Sequence, residues 1–126
     1  DSIYLSNGTQ TVNTDTIIPL TLSAQTPASV MTFANNSVTL PSGYYLISYG
    51  FTANGAVDGN NSITLYADDV SLNGETLTEY GLVDESVSTS KTILYNATDD
   101  TTISIYNTSA SEVNFTNAYI TVLKVV

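Results

Sequence analysis

Ser-Val-Thr-Leu-Pro-Ser-Gly-Tyr-Tyr-Leu-Ile-Ser-Tyr-Gly-Phe-Thr-Ala, residues 37–53, is the stretch whose reading decides the fold. It spells strand, tight turn, long strand. In Leu40-Pro41-Ser42-Gly43 the proline fixes φ and the glycine accepts φ > 0, which is turn chemistry. From Tyr44 onward the residues are aromatic and β-branched and favour a pleated, buried surface. Tyr45, Ile47, Tyr49 and Phe51 share one face of such a strand, and Tyr44, Leu46, Ser48 and Gly50 share the other. The first is a core face. The second is apolar at Tyr44 and Leu46, then turns small and polar. A half-exposed strand alternates more cleanly, so a central strand covered on both sides is expected, with another chain as a source of the second cover.

The remaining runs have the same character. Ile3–Leu5 reads as a weak edge segment before the Asn7-Gly8 turn. Thr16–Leu22 reads as a strand whose Pro19 must sit at an edge, a bulge or a terminus. Asn35-Asn36 marks a turn between Val30–Phe33 and Ser37–Leu40. Ile63–Ala67 and Val70–Leu72 follow, and Asn73-Gly74 is the strongest hairpin signal. Glu75–Val83 reads equally as a short strand or an ordered loop. Thr89–Asn96, Thr101–Asn107 and a long apolar run, Val113–Val126, complete eight to ten strands. No window has helical periodicity with caps, and no internal repeat or linker divides the chain. The last run is apolar on both faces, with Ile120, Val122 and Lys124 on one side and Tyr119, Thr121, Leu123 and Val125 on the other. Two such strands in one chain predict that one sheet is covered by a partner.

At 126 residues and 42% hydrophobic content, the chain is expected to form one domain with a substantial core. Only 11% of residues are charged and the net charge is −10, with Lys91 and Lys124 the only cations. Nothing here neutralises phosphates, so nucleic acid and anionic membrane surfaces are not expected partners. No apolar run reaches the roughly 18 residues that span a bilayer, and no signal peptide is visible at Asp1. Cysteine is absent, so no disulfide carries stability. Sparse charge with abundant Thr, Ser and Asn suits a secreted or surface-displayed β domain.

The stretch Leu-Pro-x-Gly-x-Tyr-x-Ile-Ser-Tyr at 40–49 resembles the signature of the C1q/TNF-like jelly rolls. Asp-x-x-Ile-Ser-Ile at 100–105 and Ala-Tyr-Ile-Thr-Val-Leu-Lys at 118–124 sit where that family places its last strands. The nearest flavour is its bacterial branch, the C-terminal domains of BclA-type collagen-like spore-surface glycoproteins, which are likewise rich in Thr, Ser, Asn and Val. The resemblance spans roughly 16–126; the Gly-X-Y collagen repeat is absent. It implies an all-β, two-sheet jelly-roll sandwich of about ten strands over residues 1–126, the C-terminal head of a longer surface protein. It also implies a tight homotrimer, no catalytic residues and an extracellular place on the spore surface, the exosporium. Carried over by position, the trimer interface is Leu46, Tyr119, Leu123 and Val125, while Tyr45, Ile47, Tyr49, Ile120 and Val122 are intramolecular core.

The residues themselves give little chemistry. Without His or Cys, Ser-His and Cys-His arrangements are impossible. Ser90 and Lys91 are adjacent, so on a strand they point to opposite faces. Asp68-Asp69 and Asp99-Asp100 lack the spacing of a dedicated Ca²⁺ loop and read as turn residues. No catalytic, cofactor or metal residue is therefore expected. Tyr66, Tyr80 and Tyr106 are open to two readings, stacking on sugars or packing in the core or an interface. Asn-x-Ser/Thr sites at Asn7, Asn96 and Asn114 are expected by chance in an Asn/Thr-rich chain. A non-enzymatic trimerisation and display head leads this reading; the alternative is a receptor- or carbohydrate-binding tip of a phage or bacterial fibre, with its host-surface or glycan ligand unspecified.

Overall fold

The computed structural model describes residues 1–125; Val126, assigned above to the last strand, lies outside the described residues. Among the described residues there are twelve strands and no helix. They are β1 (Ser2–Asn7), β2 (Gln10–Val12), β3 (Thr16–Ile17), β4 (Thr21–Gln25), β5 (Thr32–Ala34), β6 (Ser37–Leu40), β7 (Gly43–Gly55), β8 (Gly59–Ala67), β9 (Val70–Gly81), β10 (Val87–Ala97), β11 (Thr101–Asn107) and β12 (Val113–Lys124). Two antiparallel sheets form. Sheet A runs β10-β7-β12-β1-β4 with β2 on β12, and sheet B runs β5-β6-β11-β8-β9 with β3 on β11. This is a two-sheet jelly-roll sandwich.

The long strand β7 lies between β10 and β12, inside its sheet as expected. Its alternation holds: Tyr45, Ile47, Tyr49 and Phe51 are buried, while Tyr44 and Leu46 are exposed. The buried set meets Ile120 and Val122 of β12, Ile3 and Leu5 of β1, and Ile63, Leu65, Ile103 and Ile105 of sheet B in one core. Phe51 and Phe115 pack edge to face with centroids 5.7 Å apart. The turn before β7 is pinned by its own strand, since the Tyr45 hydroxyl donates to the Pro41 carbonyl at 2.7 Å.

Three local expectations are corrected, and one left open between strand and loop is resolved. Asn73-Gly74 is no hairpin turn. The turn between β8 and β9 is Asp68-Asp69, whose φ angles of 51° and 62° suit the tight two-residue connection that Asp and Asn tolerate. Asn35-Asn36 makes the same kind of turn between β5 and β6, with φ of 52° and 62°. Asn73-Gly74 instead lies within β9 at a bulge, where the register jumps from Thr64↔Thr76 to Tyr66↔Ser71. Thr16–Leu22 is not one strand. It breaks around Pro19, leaving β3 on sheet B and β4 on sheet A, because proline cannot donate to a ladder. Ile3–Leu5 is no edge. β1 sits between β12 and β4, with Ile3 and Leu5 fully buried. Finally, Glu75–Val83 belongs largely to β9, which ends at Gly81. The pieces made by Pro19 and the short β2 bring the strand count above ten.

The β9 bulge closes one side of the sandwich. It carries Glu75 toward sheet A, where the buried Tyr49 hydroxyl donates to the Glu75 carboxylate at 2.9 Å and to its carbonyl at 3.0 Å. Lys91, opposite Tyr49 on the edge strand β10, completes the group with a 2.9 Å ion pair to Glu75. A second polar clasp fixes the end of β11. The fully buried Asn107 donates from Nδ2 to the Val12 carbonyl at 2.9 Å and accepts from the Ser109 N–H at 3.0 Å.

Burial first, then the hydrogen bond to Glu75 and its charge, push the Tyr49 phenol well above the usual tyrosine range. Its folded-state value therefore exceeds the unfolded value of about 10. The stability it contributes is complete below about pH 10 and is lost as pH rises toward the folded-state value. Denaturant melts should thus weaken steeply above about pH 10. Tyr49→Phe should lower stability at pH 7 by about 1 kcal/mol, since it strips a donor from partly buried acceptors, and should flatten that alkaline limb.

Candidate functional site: the outer face of sheet A

Register fixes what the outside of sheet A presents. Ser2 pairs with Leu123, Leu123 with Leu46, and Leu46 with Leu94. These four residues form one row across β1, β12, β7 and β10. Leu46 is 36% exposed, Leu123 43% and Leu94 65%, large values for leucines on a sheet face. Tyr44 and Val125 extend the row at the strand ends, joined by a Val125 N–H to Tyr44 carbonyl bond of 2.9 Å, and both side chains are exposed.

The next row, Tyr4–Thr121–Ser48–Thr92, is tied by a Ser48–Thr92 hydroxyl bond of 2.7 Å. The row after it is Ser6–Tyr119–Gly50–Ser90. Here the chain needs glycine. A Cβ on Gly50 would come within 2.6 Å of the Thr89 carbonyl oxygen and 2.9 Å of the Tyr119 hydroxyl. Tyr119, Thr52, Ser88 and Ser90 border a shallow hollow of about 260 Å³ beside it. No outward residue in these three rows is charged. The face grades from leucine at one end to hydroxyl in the middle.

Sheet B presents a different exterior. Its hydroxyls bond to one another, Ser62 to Thr78 at 2.9 Å and Thr64 to both Thr76 and Thr108 at 2.8 and 2.9 Å. Tyr66 and Tyr106 stack on each other with centroids 3.9 Å apart, which occupies one face of each ring. Tyr80 alone of the three stays well exposed. Sheet B thus satisfies its own surface, whereas sheet A leaves a leucine row open.

The four residues assigned above to an interface, Leu46, Tyr119, Leu123 and Val125, fall on this one side of sheet A, Tyr119 half-buried and the others exposed. Sequence reasoning missed Leu94, the most exposed of the row, and Tyr4. Leu94 lies between the apolar Ile93 and Tyr95, and only the pairing of β10 with β7 reveals that it flanks Leu46. Of the acid pairs, Asp68 has structural work: its carboxylate accepts the Thr102 N–H at 2.9 Å beside the turn. At Asp99 it is the main-chain carbonyl that accepts the Thr101 hydroxyl, at 2.9 Å. Lys91 turns toward Glu75 while Ser90 borders the outer hollow, so the two do not meet. Among the described residues no three His, Cys, Asp or Glu side chains cluster as a metal site would require.

No protein-family model and no curated protein matches the sequence. Solved structures do match its fold. The Eiger TNF of S. frugiperda superposes with a TM-score of 0.79 at 17% identity, covering 99% of this chain and 92% of that one. The globular domain of zebrafish complement 1qA gives 0.74 at 10% identity, covering 99% and 97%. The vertex protein P5 of PRD1 gives 0.65 at 16% identity, covering 100% and 97%. The fold is therefore the C1q/TNF-like jelly roll, shared at low sequence identity.

Gly50→Ala tests the packing beneath Tyr119. The added methyl forces β10 or the tyrosine away, and overpacking of this kind costs about 1–3 kcal/mol. A thermal melt should show a clear drop, and near-ultraviolet circular dichroism should report a changed tyrosine environment.

Proposed function

We propose that this chain is a non-enzymatic head that forms a homotrimer through the outer face of sheet A. In this reading it is the C-terminal trimerisation and display domain of a collagen-like filament on a bacterial spore surface. The observation that carries it is the charge-free leucine row Leu123–Leu46–Leu94. In a chain of net charge −10, a face with no carboxylate is where copies can meet without desolvating charge. Fully burying a leucine is worth roughly 1.5–3 kcal/mol, and a threefold contact repeats the gain of each partly exposed leucine in every subunit. Position also favours a stalk. Ser2 belongs to the leucine row, and the Asp1 carbonyl accepts the Lys124 N–H at 2.8 Å. Covering that row symmetrically brings three N-termini together, where three stalk chains would converge.

A second reading, a receptor- or carbohydrate-binding tip of a phage or bacterial fibre, is favoured by the likeness to the PRD1 vertex protein. A monomer in solution, with this face taking up a glycan or receptor, would select it.

Sedimentation separates the two. The wild-type chain should run as a trimer, and Leu123→Glu should run as a monomer, because three carboxylates in an apolar seam each cost several kcal/mol to desolvate. The acidic subunits repel through a Debye length of about 8 Å at physiological salt, so the trimer should melt higher as salt is added. A monomeric wild type, or a Leu123→Glu chain that stays trimeric with an unchanged melt, would remove this face as the interface.

A further inference from the structure

The two ends of the sandwich differ in a way the sheet A face does not explain. β7 runs 13 residues from Gly43 to Gly55, about 40 Å at roughly 3.3 Å per residue. Asp1, Lys124 and the leucine row lie at the Gly43 end. At the Gly55 end, the β7–β8 loop and the β9–β10 loop stand side by side, joined by the Asp58 carboxylate, which accepts the Val83 N–H at 2.7 Å. Together they expose Val57 at 58%, Leu82 at 44% and Val83 at 46%. Leu82 is further fixed by its carbonyl, which accepts the Glu85 N–H at 3.1 Å.

Carboxylates lie in and beside these two loops. Asp84 and Glu112 border the same hollow as Val83, and Asp58 and Glu85 are exposed in the two loops. No cation offsets them, because the chain has only Lys91 and Lys124. Lys91 is held by Glu75 in the middle of the sandwich, and Lys124 lies over the Tyr45 ring near the opposite end. An apolar patch left open among uncompensated carboxylates, on loops already fastened to each other, is a preorganised contact surface of defined sign.

We propose that this distal tip, Val57, Leu82 and Val83 with the nearby Asp84, Glu85 and Glu112, docks a basic polypeptide surface that inserts an apolar side chain between flanking Lys or Arg. Charge complementarity selects this occupant. A second copy of the same tip would bring carboxylate against carboxylate, and an anionic lipid surface would be repelled in the same way. A bare cation would satisfy the acids and leave the valines and leucine in water. The tip is complete within one chain, so the inference stands whether or not sheet A mediates a trimer.

The test is fluorescence anisotropy of a labelled, end-capped Lys-Leu-Lys-Phe-Lys-Leu-Lys peptide titrated with the full chain, in whatever assembly it adopts. A second peptide with serine in place of Leu and Phe is the apolar control. Asp84→Asn with Glu112→Gln removes two tip charges. Asp99→Asn with Asp100→Asn removes two at the other end, since Ala97 just before them pairs with Gly43. Val57→Ser with Val83→Ser removes the apolar anchors from exposed positions where folding does not depend on them. Loss of either tip pair should weaken binding about tenfold, the equivalent of about 1.4 kcal/mol. The Asp99/Asp100 pair should change it less than about twofold, as remote screened charges do. No measurable binding, equal loss from both acid pairs, or tight binding of the serine peptide with no effect of the valine changes would each overturn the proposal.

Discussion

The molecule depends on the pairing of β7 with β12. It runs from Val113↔Gly55 to Lys124↔Tyr45, interrupted once by a bulge between Phe115 and Asn117. Because side chains alternate with period two, this register fixes both faces at once. It sets Ile120 beside Tyr49 and Val122 beside Ile47 in the core, and it sets Leu123 beside Leu46 outside. A slip of one residue would bury Thr121 and Leu123 and drive Ile120 and Val122 outward. Core and candidate interface are therefore two products of one ladder.

The sequence reveals this ladder's two strands because each carries strong β propensity and alternation over ten or more residues. It reveals the inward and outward sets of β7 and β12 for the same reason. It hides what depends on a neighbour. Leu94 sits between two apolar residues, and nothing local says which side of β10 faces out; the partner strand decides. Asn73-Gly74 has the composition of a hairpin turn, yet Asp68-Asp69 five residues earlier also tolerates φ > 0. The pairing of β8 with β11 and β9 prefers the earlier turn and leaves Asn73-Gly74 as a bulge. Ile3–Leu5 looks weak because it is short, and its place between β12 and β4 comes wholly from tertiary contacts.

Charge in this chain is sparse and placed. Hydroxyl ladders do the work that surface ion pairs do elsewhere, binding neighbouring strands through Ser48–Thr92, Thr64–Thr76 and Ser62–Thr78. Such bonds are insensitive to salt and pH, so the outer surfaces change little with conditions. The one ion pair among the described residues, Lys91–Glu75, is used inside an edge. A lysine pointing inward from an edge strand also discourages a further strand from adding there, which keeps the exposed side of β10 from pairing with another chain.

The place of β12 has a consequence in time. Within this domain the middle strand of sheet A is also the last in chain order, and its neighbours along the sheet are β1 and β7, with β2 pairing its first residues. Until residues 113–124 emerge, β1 and β7 have no common neighbour, and the core stays open on one side. Closure must then join segments more than a hundred residues apart, as in Ser2↔Leu123, and long-range pairing of this kind is slow because loop entropy is spent before contacts form. A nascent or truncated chain lacking β12 would expose two unsatisfied strand edges together with Ile3, Tyr49 and Phe51. Quality control in the cell would meet this domain mainly as that late-closing intermediate.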